Sequence, residues 1–155
     1  MHLSSLPPNY HLRPAQTHDR WPIRWLVLRA MLDPTQLRWQ QFWLIECDRH
    51  IVACGQLRTF ADSQELGSLV VRPGWRRQGL GTTLTQHLIQ QATQPLYLEC
   101  LGTGLAQFYR RVGFVPIGDK ELPQGLRRKF GLSGAIARRL HLPLYQMHWP
   151  ASRQD

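Results

Sequence analysis

Apolar residues recur along this chain with two different periods, and the switches between them mark its elements. Alternation, or a short continuous run bounded by turn residues, predicts strands at His11 to Pro14, Phe42 to Cys47, Ile51 to Leu57, Glu65 to Val71, Pro95 to Leu101 and Leu144 to Trp149. Two of these flank Asp48-Arg49-His50, which is hairpin spacing for an antiparallel pair. Helical spacing appears three times. Trp25, Leu28 and Leu32 form a stripe behind Asp19 and Pro22, a cap and an early-turn residue, and it stops before Asp33-Pro34. Leu80, Leu84, Leu88 and Ala92 lie four apart and give one apolar face to a sheet. Leu105, Phe108, Tyr109 and Val112 then lead to Gly113-Phe114, and Thr35 to Gln41 reads as a further short helix.

The segment after Phe114-Val115-Pro116 departs from this economy. About 27 residues precede the last strand, broken by Pro123, Gly125, Gly131 and Gly134, with Ser133 placed to cap a short helix through Leu140 whose Arg138 and Arg139 face out. We read it as an inserted basic segment at about 119–143, either a substrate element or a surface hairpin. There is no internal repeat, and a chain of 155 residues is one domain's worth. The expectation is a single α+β domain over 1–155.

The most specific feature is the passage from Leu66–Val71 into Arg72-Pro73-Gly74-Trp75-Arg76-Arg77-Gln78-Gly79-Leu80-Gly81. A strand meets a glycine-rich turn that opens directly into a helix, so backbone N–H groups and the positive end of a helix dipole converge on one point suited to phosphate. The spacing is neither that of a P-loop nor that of a dinucleotide fold. Arg76 to Gly81 instead resembles the Arg/Gln-x-x-Gly-x-Gly/Ala signature of the GNAT superfamily of acetyl-CoA-dependent N-acetyltransferases. Downstream, Ala106 to Phe114 resembles that family's second signature, Ala-x-x-Phe-Tyr-x-x-x-Gly-Phe, in the family's order and with room between the two for one helix and one strand. The resemblance covers roughly Tyr10 to Val115.

The resemblance implies a GNAT-like fold, a mixed central sheet of six to seven strands with helices on both faces, and acetyl-CoA as co-substrate with no metal. The backbone of Arg76, Arg77, Gln78, Gly79, Leu80, Gly81 and Thr82 would hold the pyrophosphate. The strand ending at Leu69, Val70 and Val71 would splay from its neighbour, hold the pantetheine arm and polarise the thioester carbonyl. Thr103, where many relatives carry Asn, would bond to the pantetheine or order a water through an altered contact, and Phe108 belongs to the same coenzyme-binding set. Tyr109 matches the tyrosine that protonates the departing thiolate, and a phenol with a reference pKa near 10 stays protonated at neutral pH. For the base, Glu65 resembles the catalytic glutamate of the histone-acetyltransferase branch; Glu99 is its rival, Glu46 a weaker one, and a water chain stays open. The expected acceptor is protein lysine or an N-terminal amine, then a small-molecule amine, then aminoacyl-tRNA. A CoA-binding or nucleic-acid-binding regulatory module without catalysis is the answer from another class.

Charge changes the picture only in part. The formal net charge of +9 and the pI near 10.5 exceed what Arg76 and Arg77 need for a coenzyme. Arg110, Arg111, Arg127, Arg128, Lys129, Arg138 and Arg139 lie elsewhere, so an acidic protein, transfer RNA or an anionic membrane surface is a candidate partner beside a merely solvated basic face. Cys47, Cys54 and Cys100 are odd in number and sit in strand-like runs, which predicts buried reduced thiols. His87 reads as a helix-face residue. No apolar stretch is long enough for a membrane span and the N-terminus lacks a basic segment followed by an apolar core, so the expectation is a cytoplasmic monomer or homodimer.

Overall fold

The structure, a computed structural model, describes residues 6–150. Seven strands share one sheet: β1 (Tyr10–Pro14), β2 (Phe42–Cys47), β3 (His50–Thr59), β4 (Gln64–Val71), β5 (Leu96–Leu101), β6 (Val115–Pro116) and β7 (Leu144–His148), in the order β1-β2-β3-β4-β5-β7-β6. The helices are α1 (Arg20–Arg29), α2 (Leu80–Gln91), α3 (Thr103–Val112) and α4 (Gln124–Arg139). β1 with β2, β2 with β3, β5 with β7 and β6 with β7 run antiparallel, whereas β4 and β5 pair in parallel through Gln64↔Leu96 and Glu65↔Tyr97. The sheet is therefore mixed, as expected. The chain divides into two compact units, Met1–Leu57 with Leu66–Gln91, and Arg58–Glu65 with Ala92–Asp155.

In the first unit, Asp48 and Arg49 take φ values of 48° and 67°, the left-handed pair that a two-residue hairpin turn between twisted strands requires. α1 packs Ile23 and Val27 onto Phe42, Leu44, Cys54 and Val70. This reverses the predicted orientation, because Trp25, Leu28 and Leu32 stand exposed. The helix carries two apolar stripes, and only one can face the sheet. Asp19 precedes α1 but does not cap it: its carboxylate accepts from the Gln16 N–H at 2.7 Å and from Arg13. Of the helix expected over Thr35 to Gln41, a single 3-10 turn forms at Trp39–Gln41. Leu80, Leu84 and Leu88 of α2 are buried as their spacing predicts.

In the second unit, α3 buries Ala106, Tyr109 and Val112 and leaves Leu105 exposed. It ends at Gly113, with φ of 124° and a Trp149 ring atom 2.8 Å from where a Cβ would sit, so both conformation and space demand glycine. The inserted segment holds the largest correction. Instead of a short helix capped by Ser133, α4 runs without a break from Gln124 through Gly125, Gly131 and Gly134 to Arg139. Each interior glycine costs about 1 kcal/mol relative to alanine, and burial of Leu122, Leu126 and Phe130 against Phe60, Tyr97 and Ile117 offsets it. Cys47, Cys54 and Cys100 are buried free thiols. Among the described residues no helix is long and apolar enough to cross a membrane.

Candidate active site

The glycine-rich turn that resembles the family's first signature lies in the first unit. Within β4, Ser68 takes a left-handed φ of 51°, and its hydroxyl donates to Gln56 Oε1 at 3.2 Å. After β4 the chain makes a 3-10 turn at Pro73–Trp75, and Arg76 Nε donates back to the Val71 carbonyl at 3.0 Å. Arg77 and Gly79 then take φ values of 62° and 76°, which reverses the chain and starts α2 at Leu80. The Tyr10 hydroxyl donates to Gln78 Oε1 at 2.8 Å and braces the turn. Thr83 N–H returns to the Gly79 carbonyl at 3.0 Å, whereas the N–H groups of Leu80, Gly81 and Thr82 precede the first intrahelical bond and point out of the helix end. Arg76 to Gly79 are exposed. An anion docked here would meet backbone donors, two guanidinium groups and the helix dipole.

A cavity of about 1130 Å³ in the same unit is lined by Val70, Arg72 and Arg76 together with Trp25, Arg29 and Arg49. On its wall Arg13 bridges two carboxylates, donating to Asp19 at 2.7 and 3.0 Å and to Glu46 at 2.9 Å. Burial works to raise the Asp19 carboxyl, but the bonds from Arg13 and Gln16 hold it below its ordinary value. Glu46, the weakest candidate base, is thus committed to Arg13. His87 of α2 packs edge-on against Trp43 with ring centroids 4.2 Å apart, and burial lowers its pKa. Val70 is buried, while Leu69 and Val71 are half-buried.

The other acid–base candidates lie in the second unit. Glu65 is buried at 3% exposure; Arg58 donates to its Oε1 at 3.1 Å and Lys129 of α4 donates to its Oε2. Glu99 stands beside this pair. Its Oε2 is buried with no hydrogen-bond partner among the described residues. Burial first, and then the charge of Glu65, push its carboxyl up to about 7, against the pull of Ser133, Lys129 and Arg58. Tyr109 is buried edge-on between Phe108 and Phe114, with centroid separations of 5.0 and 5.7 Å, and burial raises its phenol further above neutrality. It is therefore a permanent O–H at physiological pH. Phe108 itself is half-buried, and Thr103 opens α3 on the surface behind Gly102.

Sequence reasoning missed Arg58, Lys129 and Ser133. Arg58 had a faint signal, as a charged residue near the end of the mostly apolar β3. Lys129 had none, since it meets Glu65 across 64 positions.

Sheet order, the left-handed turn into α2 and the two signatures together define an acetyltransferase-type domain. The acetyltransferase (GNAT) domain profile matches residues 38–116, and the chain belongs to that family. It is 32% identical over 102 residues to the amino-acid acetyltransferase of Pseudomonas putida, an alignment covering 63% of this chain and 24% of that protein. The Azotobacter vinelandii amino-acid acetyltransferase is 38% identical over 88 residues, 54% of this chain and 20% of that protein. In structure it resembles N-acetylglutamate synthase from Neisseria gonorrhoeae, solved with coenzyme A and L-arginine, with a TM-score of 0.74 at 22% identity over 95% of this chain and 34% of that one. The chain spans about a quarter of the length of the curated relatives it matches.

Proposed function

We propose that this chain is an N-acetyltransferase that moves an acetyl group from acetyl-CoA directly onto the amino group of a free amino acid. The observation that carries the reading is the turn from Arg76 to Gly81, with its left-handed Arg77 and Gly79 and an exposed helix start, in a chain of this family. Motifs alone put protein lysine or an N-terminal amine first. The relatives named amino-acid acetyltransferase favour the small-molecule alternative.

In such a transfer the neutral amine attacks the thioester carbonyl, the C–N bond forms as the C–S bond breaks, the nitrogen sheds a proton and the thiolate gains one. Residues Arg76 to Thr82 hold the pyrophosphate, and Leu69, Val70, Val71, Thr103 and Phe108 serve the pantetheine arm. Tyr109, whose phenol stays protonated, supplies the thiolate's proton. The carboxylates Glu65 and Glu99 are the groups able to accept the amine's proton. Coenzyme binding is tested by calorimetry with CoA: Gly79→Glu should abolish the heat while leaving the circular dichroism spectrum unchanged, because a side chain there is both strained and in the path of the phosphates. Free-thiol release assayed with the twenty amino acids and with lysine peptides tests the acceptor. Turnover confined to peptides would overturn the amino-acid reading and leave acetyl transfer standing.

A further inference from the structure

We propose that the outward face of α1 is a docking surface for an anionic phospholipid bilayer. Only Ile23 and Val27 of this helix turn fully inward. Trp21 at 67%, Trp25 at 65% and Met31 at 93% are exposed, with Leu28 and Leu32 beside them, and Trp25 stands at the edge of the face where it also lines the cavity described above. Positions 21, 25 and 28 are separated by four and three residues and form one stripe along the helix, with Met31 and Leu32 in the turn after it. Taking about 250 Å² for a whole indole, the two tryptophans alone show about 300 Å² of ring to solvent, as much as the whole largest apolar patch of many monomers.

Charge selects the occupant. α1 contains Arg20, Arg24 and Arg29, all exposed, and no carboxylate. Arg24 lies over the Trp21 ring at 5.7 Å, so cation and indole are presented together. A second copy of this chain is a poor fit, since an isologous contact would set the same three arginines against each other on molecules of net charge +9. A bilayer with phosphate headgroups satisfies every part of the face. Indoles settle at the level of the headgroups, guanidinium forks match phosphate oxygens, and Leu28 and Met31 reach the acyl boundary with the helix lying in the plane of the surface.

The test is sedimentation of the full chain with vesicles of phosphatidylcholine, with and without phosphatidylglycerol, at low and high salt. The expected result is binding to the phosphatidylglycerol vesicles alone, weakened by salt. Trp21→Ala with Trp25→Ala should lower the partition coefficient about tenfold or more. Arg20→Gln with Arg24→Gln should lower it by a similar factor, since each basic residue near an anionic surface contributes about fivefold. Both pairs are exposed, and an unchanged unfolding midpoint will show that each variant keeps its fold. Absence of binding to phosphatidylglycerol vesicles, equal binding to pure phosphatidylcholine, or unchanged partition in the tryptophan variant would overturn the proposal. So would a dimer in solution that Trp25→Ala dissociates, or binding of polyglutamate as tight as binding of the vesicles.

Discussion

Two ion clusters built from the same residue types sit in the two units with opposite ratios of cation to carboxylate. In the first unit a single cation, Arg13, is shared by two carboxylates, Asp19 and Glu46. In the second unit a single carboxylate, Glu65, is shared by two cations, Arg58 and Lys129, and a further carboxyl, Glu99, is left with an orphaned buried oxygen. The first cluster ties β1 to β2 and to the turn before α1, and Arg13 spends three of its nitrogens doing so. The second keeps one group whose proton is held near neutral pH. Satisfied networks fix a scaffold, whereas buried groups left short of partners are where chemistry is done. On this contrast we propose that the Arg13 cluster is structural, and that Glu99, beside the satisfied Glu65, marks the second cluster as the functional one.

The strongest way to break the contrast is to remove the shared group from each side. Arg13→Met strands the buried Asp19, and should cost about 2–3 kcal/mol of stability, somewhat below the cost of breaking a fully buried pair because Arg13 keeps 23% of its side-chain exposure. Urea unfolding would register that shift, while turnover per folded molecule should not change. Glu65→Gln should also cost stability, because it leaves the buried Arg58 and the half-buried Lys129 without their counter-charge, but it alone should lower turnover, by about 10²-fold or more with CoA affinity unaltered. A turnover loss in Arg13→Met as large as that in Glu65→Gln would mean that both clusters serve positioning and that the division is false.

Tyr109→Phe sharpens the same comparison within the second unit. The ring remains to fill the space between Phe108 and Phe114, so packing is preserved and only the O–H is lost. A fall in turnover of about 10²-fold, with unchanged CoA affinity, is the outcome expected of a proton donor. Full activity in the phenylalanine variant would reduce Tyr109 to a core aromatic.

How far these clusters could be read in advance depends on what each rests on. Strand limits, the β2–β3 hairpin and the inner face of α2 were legible because period and turn chemistry are local. The turn into α2 was legible for the same reason, since Gly79 and Gly81 stand at fixed offsets from Arg76. The orientation of α1 was not, because a helix with two apolar stripes does not say which one meets the sheet. α4 was masked by three glycines whose helical cost is repaid only by tertiary contacts of Leu126 and Phe130. With α4 misread, Lys129 could not be brought to Glu65, so the glutamate read as the first candidate base was not foreseen as the buried centre of an ion cluster.

The smallest expected effect separates the clusters by the sign of their pH dependence. Burial and the charge of Glu65 push Glu99 up to about 7 in the folded chain, against about 4.3 when unfolded. Between those values the folded state holds a proton that the unfolded chain has released, so stability is full below the lower value and is lost as pH rises through the upper one. Asp19 works the other way. Its carboxyl is held below the ordinary value by Arg13, so its contribution is present above the unfolded value and is lost as pH falls. Wild-type unfolding midpoints should therefore decline between about pH 5 and 8 and decline again in strong acid. Glu99→Gln, which mimics the protonated form, should flatten the first decline and leave the second, whereas Asp19→Asn should blunt only the second. Glu99 keeps part of its surface in water, which limits the size of the first effect. Identical pH profiles for wild type and Glu99→Gln would show that the orphaned carboxyl carries no trapped proton, and the distinction between the two clusters would then rest on turnover alone.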